Sequence, residues 1–397
     1  MKTLFLFVML HPLSCGLLAQ NAASKKTMGR LINDNMLFAA KQYKVLKQNT
    51  PQDRMPRSFD PKENKSITSD TKWWCSGFYP GTLWYIYEYT KDSSIKNEAE
   101  RRLAILEKEQ YYTGNHDLGF MMYCSFGNAY RITQKPEYKE IIFNAANSLA
   151  TRYRPSIKAI QSWDSGKNFK CPVIIDNMMN LELLEWVSSN GGSKRFHDIA
   201  VAHSNTTLHN QFRENYSSYH VLDYDLKGGH VSRKVTHQGY SSESAWSRGQ
   251  AWGLYGYTVM YRTTKDPAYL KLATNIAQFI LKHPNMPGDG VPFWDFDAPG
   301  IPDALRDASA GAILASALLE LAQYTSGKQK AGYLTVAEKI LQTLSSTNYR
   351  ARLGDNGGFL LMHGVGSMPH KSEVDVPLTY ADYYFVEALM RYKKWYL

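Results

Sequence analysis

The chain has 397 residues, 44% of them apolar, and its 46 basic and 36 acidic residues give a formal net charge of +10. An apolar fraction of this size excludes intrinsic disorder as the main state of the chain. The 9 Trp, 27 Tyr and 16 Phe residues, 13% of the chain, offer flat apolar surface for a ligand cleft as well as for a core.

The N-terminus predicts an export signal. Lys2 precedes the unbroken apolar run 4–10, and residues 16–19 (GLLA) offer a cleavage site. The apolar run is much shorter than the ~20 residues that span a bilayer. We therefore expect residues 1–19 to be removed, leaving residues 20–397 as an exported, periplasmic protein with 45 basic and 36 acidic residues, a net charge of +9.

The cysteines and histidines point to neither a disulfide framework nor a metal site. Cys15 would allow a lipid anchor instead of free export, but the preceding PLS matches a lipobox poorly. Cys75, Cys124 and Cys171 are odd in number, widely spaced and lack a CxxC pair. The seven histidines between 197 and 283 contain no i, i+4 pair with a carboxylate nearby. No metal and no cofactor are predicted.

Helical periodicity recurs from residue 28 onward without a linker or a shift in composition, which predicts a single domain. Strands are hard to place. In the last helix, Asp375 is expected to cap and Pro377 to lie in the first turn. The predicted helices cover about 28–48, 77–91, 94–111, 118–133, 136–151, 172–188, 193–212, 246–263, 267–283, 303–325, 328–345 and 376–394.

Twelve helices make six pairs. Small residues such as those of 308–312 (ASAGA) allow helix axes to approach closely, as inner helices would, while the charged faces of other helices suit an outer layer. We therefore predict a closed ring of six helical hairpins. No internal sequence repeat is visible, and an open superhelix of hairpins fits the periodicity almost as well.

The loops between these helices concentrate aromatic, carboxylate and amide side chains. The segments are WWCSGFYPG at 73–81, NHDLGF at 115–120 and IIDN at 174–177. In a ring, loops at hairpin spacing gather at one end around a shared cavity, where a ligand site is expected.

Asp176 is the most informative single residue because it lies in the apolar stretch 173–179. Helical spacing places it on the face of Asn180, which would orient it. Burial raises the pKa of a carboxyl group, so Asp176 is a candidate proton donor near neutral pH. The alternative is a buried structural carboxylate that is bonded to backbone.

Asp117 comes directly before the predicted helix that starts at Leu118. It is a candidate second carboxylate, with a helix N-cap as the alternative. Its neighbour His116 is either part of the site or an ordinary surface histidine. Neither residue carries a function by its position alone.

A third polar cluster runs from His220 to Trp252 and includes Gln238. Arg248 and Trp252 are four residues apart and share a helix face, so together they would hold a carboxylate and stack against a sugar ring. The alternative pairs Arg248 with an acid at a helix end and places Trp252 in the core.

Five ordered motifs extend over nearly the whole mature chain. They are WWCSGFYPGTLW, NHDLGF, IIDNMMNLELL, THQGYSSESAWSRGQAWGLYGY and VDVPLTYADYYFVEAL. Together they resemble the unsaturated glucuronyl hydrolases of glycoside hydrolase family 88. The resemblance implies an all-α fold, the (α/α)6 toroid, in agreement with the six hairpins, and an enzyme whose partner is an unsaturated oligosaccharide.

The resemblance also implies an unusual hydrolysis. Such enzymes hydrate the C4=C5 bond of a 4,5-unsaturated uronic acid, which polysaccharide lyases leave at a non-reducing end, and water does not attack the anomeric carbon. By resemblance, Asp176 is the general acid and base. Asp117 matches the second carboxylate, which orients the substrate and stabilises the developing charge.

Further positions match sugar-binding residues of that family. They are His220, Gln238, Arg248 and Trp252, with His116 beside the second carboxylate and with Trp163 and either Trp73 or Trp74 as aromatic walls. The net charge of +9 favours acidic ligands such as glycosaminoglycan fragments. Lys371, with Ser367 and His370, is expected to meet a sulfate on the second sugar, unless the loop 364–372 is merely solvated.

Several other functions remain to be compared with this one. The same toroid and chemistry serve hydrolases of unsaturated rhamnogalacturonan fragments, although the THQGY and RGQAW motifs favour the glucuronyl enzymes. A sugar epimerase would need a pair of cavity histidines, and a non-catalytic glycan-binding protein would not need both aspartates. The basic residues are scattered and form no nucleic-acid-binding module. The sequence leaves the oligomeric state open.

Overall fold

The computed structural model describes residues 13–397, with side chains from residue 25 onward. Within this part the chain forms twelve α-helices and nine short strands. The helices are α1 Leu13–Gln48, α2 Phe78–Thr90, α3 Ser93–Leu106, α4 Asn128–Thr133, α5 Pro136–Ala150, α6 Asn177–Ser189, α7 Arg195–Asn210, α8 Ser247–Thr264, α9 Pro267–Lys282, α10 Ala308–Leu321, α11 Gly327–Leu344 and α12 Thr379–Tyr396. A π-helical segment, Gly119–Gly127, leads directly into α4, and Glu107–Tyr111, Ala322–Tyr324 and Asn356–Gly358 are 3₁₀ turns.

The helices form two concentric layers. The inner layer consists of α2, the π-helical segment with α4, α6, α8, α10 and α12, and each packs on the next until α12 closes the ring against α2. The outer helices α3, α5, α7, α9 and α11 pack on their inner neighbours, and α1 covers the α12–α2 seam. The ring is closed, so the predicted six-hairpin toroid is confirmed and the open superhelix is wrong.

Local sequence explains why inner and outer helices differ. Every residue of α10 is buried, and its small side chains let α8, α11 and α12 approach closely. The outer helix α9 is amphipathic. Asp266 caps it by accepting a hydrogen bond from the Ala268 N–H (2.9 Å), Pro267 occupies its first turn, and Tyr269 and Leu272 face the core.

The strands are short and antiparallel. They are β1 Met55–Asp60, β2 Lys65–Ser69, β3 Tyr153–Arg154, β4 Ala159–Ile160, β5 Pro172–Ile174, β6 Val221–Asp225, β7 His230–Val235, β8 Gly364–Ser367 and β9 Ser372–Val376. Strands β5, β6 and β7 form one sheet, whereas β1 and β2, β3 and β4, and β8 and β9 pair in twos. Most have too few residues to show an alternating pattern, which is why the sequence did not reveal them.

Four predicted helix starts, those of α1, α6, α10 and α12, are wrong. The helix α10 begins at Ala308 and not at residue 303. Residues 172–174 of the predicted helix 172–188 are strand β5, and α6 begins only at Asn177. The predicted helix 376–394 begins at Thr379, so Pro377 precedes it. Asp375 is not a cap, since it lies in β9 and pairs with His363 at 2.7 Å. The predicted loop 364–372 is a β-hairpin with a turn at 368–371.

The predicted export signal stays a prediction. Residues 1–12 of the leader and the side chain of Cys15 lie outside the described residues. The helix α1 begins at residue 13, earlier than the predicted residue 28. None of the described helices has the length and apolar composition needed to cross a membrane. The three cysteines with described side chains, Cys75, Cys124 and Cys171, are free thiols.

Candidate active site

The first turns of the inner helices meet at one end of the ring. Arg248 in the first turn of α8 pairs with Asp307, the N-cap of α10, at 2.8 Å, and lies 5.3 Å from the ring of Tyr380 at the start of α12. Asn180 in α6 bonds to the first turn of the π-helical segment, at Phe120. Helix N-termini carry partial positive charge, so their convergence favours a negatively charged ligand at this end.

Asp176 lies at the junction between β5 and α6, a position that the strand fixes through the hydrogen bond from the Ile175 N–H to the His220 carbonyl (3.2 Å). Its carboxyl Oδ2 is buried, has no hydrogen-bond partner and lies 3.8 Å from His220 Nε2. Burial raises the pKa of Asp176, Arg248 opposes the rise and the charge of Asp117 adds to it, so that the pKa is about 7. A carboxyl group in this state exchanges protons near neutral pH.

Asp117 lies two residues before the π-helical segment, and its side chain is 14% exposed. Burial raises its pKa to about 7, and Arg152 and the Asn180 amide oppose this rise. Its carboxylate does not cap the helix. Instead, its N–H donates to the side chain of Asn115 at 2.9 Å. Both carboxyl groups of the site therefore bind protons more tightly than an ordinary aspartate, and the charge of Asp117 adds to the proton affinity of Asp176.

His116 is buried, and its Nε2 lies 3.3 Å from Asp117 Oδ1, so the alternative of a surface histidine is wrong. Burial lowers the pKa of His116 to about 3, which keeps its ring neutral. His116 therefore orients Asp117 without adding a positive charge.

His220 is held in one orientation and one tautomer. Its Nδ1 accepts hydrogen bonds from the N–H groups of His237 (3.2 Å) and Gln238 (3.1 Å), so the ring proton is on Nε2, which faces Asp176. Its ring stacks on Trp246, with centroids 4.3 Å apart. Burial lowers the pKa of His220 well below its ordinary value, so it presents a neutral N–H donor beside the Asp176 carboxyl.

The predicted roles of Arg248 and Trp252 are corrected. Arg248 is 1% exposed and its guanidinium donates to Asp307 and to the carbonyls of Val365 and Gly366, both at 2.7 Å. It thus pairs with a helix-end acid and does not offer a free fork for a substrate carboxylate. Trp252 is fully buried against Phe120, so it belongs to the core and offers no face to a sugar.

The hairpin β8–β9 contacts the site through the backbone of Gly366. The Gly366 carbonyl accepts hydrogen bonds from Arg248 and, at 3.0 Å, from Gln238 Nε2. At the tip of the hairpin, Ser367 Oγ lies 2.7 Å from His370 Nδ1, and Lys371 is exposed.

The predicted aromatic walls occupy different depths. Trp163 bridges to the backbone of Asn115, and its ring centroid lies 5.6 Å from that of His237. The His370 ring lies 4.5 Å from the His237 ring. Trp74 is partly exposed and packs on Phe120 and Tyr380, with ring centroids 5.7 and 4.8 Å away. Trp73 is 38% exposed on the outer rim under the guanidinium of Arg57. Trp74 is therefore the tryptophan closer to the two aspartates.

Comparison with known proteins places this geometry in a family. The profile of Glycosyl Hydrolase Family 88 matches residues 48–396. The chain belongs to this family. It is 47% identical to an unsaturated glucuronyl hydrolase of Formosa agariphila over 340 residues, 85% of this chain and 84% of that protein. It is 33% identical to an unsaturated chondroitin disaccharide hydrolase of Streptococcus pyogenes over 341 residues, 84% of this chain and 85% of that protein.

Solved structures of family 88 enzymes share the fold. The crystal structure of an unsaturated glucuronyl hydrolase specific for heparin matches with a TM-score of 0.89 and 45% identity, covering 92% of this chain and 97% of that one. A Streptococcus agalactiae variant complexed with dGlcA-GalNAc6S matches with a TM-score of 0.79 and 29% identity, covering 92% of both chains. The resemblance found in the motifs is thereby confirmed, and the chain is a glycoside hydrolase.

Two members of this family 88 site were missed in the sequence. Trp246, which stacks on His220, stood in a quoted motif two residues before Arg248, and this proximity was the available signal. Arg152 is buried and its charge holds down the pKa of Asp117, but it comes from the end of α5 and nothing in the sequence linked it to the site. Among the described residues, no group of three or more His, Cys, Asp or Glu side chains is arranged to hold a metal ion.

Proposed function

We propose that this family 88 enzyme removes the 4,5-unsaturated uronic acid from the non-reducing end of lyase-generated glycosaminoglycan oligosaccharides. The observation that carries the proposal is the unpartnered Asp176 carboxyl, which faces the His220 N–H and has a second carboxyl group, Asp117, close enough to raise its pKa. A buried carboxyl group with a pKa of about 7 is suited both to give and to take a proton.

The reaction begins with proton transfer from Asp176 to C4 of the C4=C5 bond. Positive charge then develops at C5 and the ring oxygen, and ionised Asp117 stabilises it. The Asp176 carboxylate next takes a proton from water, whose oxygen adds to C5, so Asp176 regains the proton that it lost. The resulting hemiketal opens, and the anomeric carbon then releases the second sugar. Because water never attacks the anomeric carbon, the spacing rule for retaining and inverting glycosidases does not apply.

The His220 Nε2–H is placed to orient the reacting groups. It lies beside Asp176 and is neutral, so it can donate to a substrate oxygen while adding no charge that would drive the proton off Asp176. Half-exposed Trp163 and Trp74 supply aromatic faces for the sugar rings. Arg248 acts through its field on Asp176 and by holding the β8–β9 hairpin.

The second sugar is proposed to carry sulfate near the β8–β9 hairpin. Ser367, His370 and Lys371 lie at its tip, and His370 adjoins the His237 and Trp163 rings that border the site. A net charge of +10 and the converging helix N-termini favour acidic ligands. A relative in the family is specific for heparin and another binds dGlcA-GalNAc6S.

The location proposed for the enzyme is the periplasm, after cleavage behind residue 19, with a lipid anchor at Cys15 as the alternative. Lys2 and the apolar run 4–10 support this. Mass spectrometry of the N-terminal peptide from cells decides: a free Gln20 supports export of a soluble protein, and an acylated Cys15 supports the anchor.

The decisive experiment follows the ultraviolet absorbance of the C4=C5 bond. Lyase-generated disaccharides from chondroitin, heparin and hyaluronan are mixed with the wild type and with Asp176→Asn. Loss of absorbance with the wild type only supports the proposal and ranks the substrates. Loss with a rhamnogalacturonan disaccharide alone would favour the sister hydrolase, and binding without any loss would favour a glycan-binding protein.

A further inference from the structure

One buried amide touches the segments of both site carboxyl groups. Asn180 is fully buried one helical turn after Asp176 in α6. Its Oδ1 accepts the N–H of Phe120 at 3.0 Å, in the first turn of the π-helical segment that follows Asp117. A side chain of one carboxyl-bearing element thus anchors the backbone of the other.

The two elements approach each other as closely as the backbone allows at this point. A Cβ atom added to Gly119 would lie 2.5 Å from the Asn180 Cα and 2.6 Å from its Oδ1. Only glycine at 119 leaves room for this contact, because real Cβ atoms do not approach other heavy atoms so closely. The close contact between Gly119 and Asn180 therefore joins the two segments that carry Asp117 and Asp176.

The other half of the amide faces Asp117. Asn180 Nδ2 is buried without a hydrogen-bond partner, and the Asn180 amide lowers the pKa of Asp117 against the larger rise from burial. Asn180 does not act on the pKa of Asp176, whose opposing charge is Arg248. Helical spacing predicted that Asn180 orients Asp176. In the structure it contacts the segment of Asp117 instead.

We propose that Asn180 is a positioning residue that fixes the spacing of the two carboxyl groups and keeps Asp117 ionised while Asp176 carries the proton. The inference rests on the hydration mechanism proposed above, which requires one proton shared by the pair. Without Nδ2, Asp117 should become protonated at a higher pH. The negative charge that stabilises C5 is then lost at a higher pH than in the wild type.

A substitution at position 180 leaves the other charged and titratable groups that face Asp117 and Asp176 in place. They are His116, Arg152, Cys75, Tyr112 and Asp176 facing Asp117, and Arg248, His220 and Asp117 facing Asp176. A shift in the titration of Asp117 in an Asn180 variant is therefore assigned to the amide.

The test compares the pH dependence of kcat/KM for the wild type, Asn180→Ser and Asn180→Leu. Serine keeps an acceptor for the Phe120 N–H and loses Nδ2, whereas leucine keeps the shape and loses both polar groups. The expected result is a shift of the acidic limb to higher pH by about one unit in both variants. We also expect a 10- to 100-fold loss of kcat in Asn180→Leu and little change in KM. Asn180→Ser remains available if leucine prevents folding.

Asn128→Leu is the matched control. Asn128 is a buried amide in α4 that bonds to the Cys124 carbonyl (2.9 Å) and the Tyr383 hydroxyl (3.1 Å), away from the site. Its loss should lower stability and leave the limb in place. An unshifted acidic limb in Asn180→Ser, or a uniform loss of rate at every pH, would overturn the inference.

A second measurement needs no substrate. The enzyme is labelled with 13C at the side-chain carboxyl carbon of aspartate, and the Asp117 signal is assigned through Asp117→Asn. NMR should show that Asp117 titrates at higher pH in Asn180→Ser than in the wild type. An inactive wild type would refute the proposed function alone, and an unchanged Asp117 titration would refute the role of Asn180 alone.

Discussion

The two ends of the ring differ in how their buried polar groups are satisfied. At the end where the inner helices begin, Asp176 Oδ2, His220 Nε2 and Asn180 Nδ2 are buried without hydrogen-bond partners. At the other end lies a cavity of about 890 Å³ in which Glu88 pairs with Arg131 at 2.7 Å. Glu387 there accepts hydrogen bonds from Tyr255 and Ser316. Native proteins rarely leave buried polar atoms unpaired, so three such atoms on neighbouring site residues mark the chemistry better than cavity volume does. Trp84 Nε1 and Glu320 Oε2 also lack a hydrogen-bond partner, but Glu320 Oε2 is ion-paired with Arg391.

The pKa alone would not have separated these regions. Burial raises the pKa of Asp382 to about 7, the same as for Asp176 and Asp117. Its oxygens, however, accept hydrogen bonds from the N–H groups of Leu360 (2.8 Å) and Leu361 (3.0 Å) and from the Tyr43 hydroxyl (3.1 Å). Burial therefore sets the proton affinity, and the lack of partners leaves the proton free for a substrate.

The largest effect is expected for Asp176→Asn, because an amide cannot deliver a proton to C4. The variant should lose about 10²–10⁴-fold in kcat, measured as loss of C4=C5 absorbance. Asp382→Asn is the matched control, because Asp382 is also buried and has the same pKa of about 7. It should unfold more easily yet keep kcat within about threefold. Comparable losses of kcat in both variants would erase the distinction between partnered and unpartnered carboxyl groups.

Residues at the opposite end of the ring should contribute to stability and not to catalysis. Arg391 is 12% exposed and pairs with Glu320 at 2.9 Å and with Glu387 at 3.8 Å. Arg391→Met leaves buried Glu387 without this cation, while Glu320 keeps its ion pair with Arg262 at 3.0 Å. We expect the free energy of unfolding in urea to fall by about 3–5 kcal/mol while kcat of the folded enzyme stays within about twofold. A kcat loss as large as that of Asp176→Asn would show that the two ends are coupled.

The buried carboxyl groups of the site should lower the stability of the folded protein at alkaline pH. The pKa of Asp176 is about 7 when folded and near its ordinary value of 3.8 when unfolded. The folded state thus binds more protons between these values, and stability falls as pH rises from about 4 to 7. Asp176→Asn lacks this loss and should be more stable than the wild type at pH 8 by about 1–3 kcal/mol. Equal unfolding midpoints at pH 8 would contradict the raised pKa.

The smallest effect is expected at the hairpin tip. Lys371 is exposed, so its attraction to a sulfate is screened by solvent. Lys371→Ala should lower the ratio of kcat/KM for sulfated over unsulfated disaccharide by about 3–10-fold and leave the unsulfated rate unchanged. An unchanged ratio would remove Lys371 from the sulfate site.

Sequence patterns predicted the ring because long amphipathic helices and the small residues of α10 specify their neighbours locally. Asp117 stood out in a polar loop, and Asp176 stood out as a carboxylate within an apolar stretch. Each lies close to the start of a helix. The three-residue strand β5 was too short to detect, so Asp176 was placed inside a helix when it lies before one. Tertiary pairing also turned Arg248 toward Asp307 and Trp252 into the core, which no spacing rule reveals.

The most direct test of the account follows the vinyl proton at C4 by NMR while a chondroitin disaccharide reacts in D2O. Protonation by Asp176 predicts that this signal disappears as fast as the second sugar is released and that the product gains one deuterium at C4. With Asp176→Asn, the vinyl signal should persist and no second sugar should be released. Release of the second sugar while the vinyl signal persists through the first turnovers would show attack at the anomeric carbon and contradict the assigned role of Asp176.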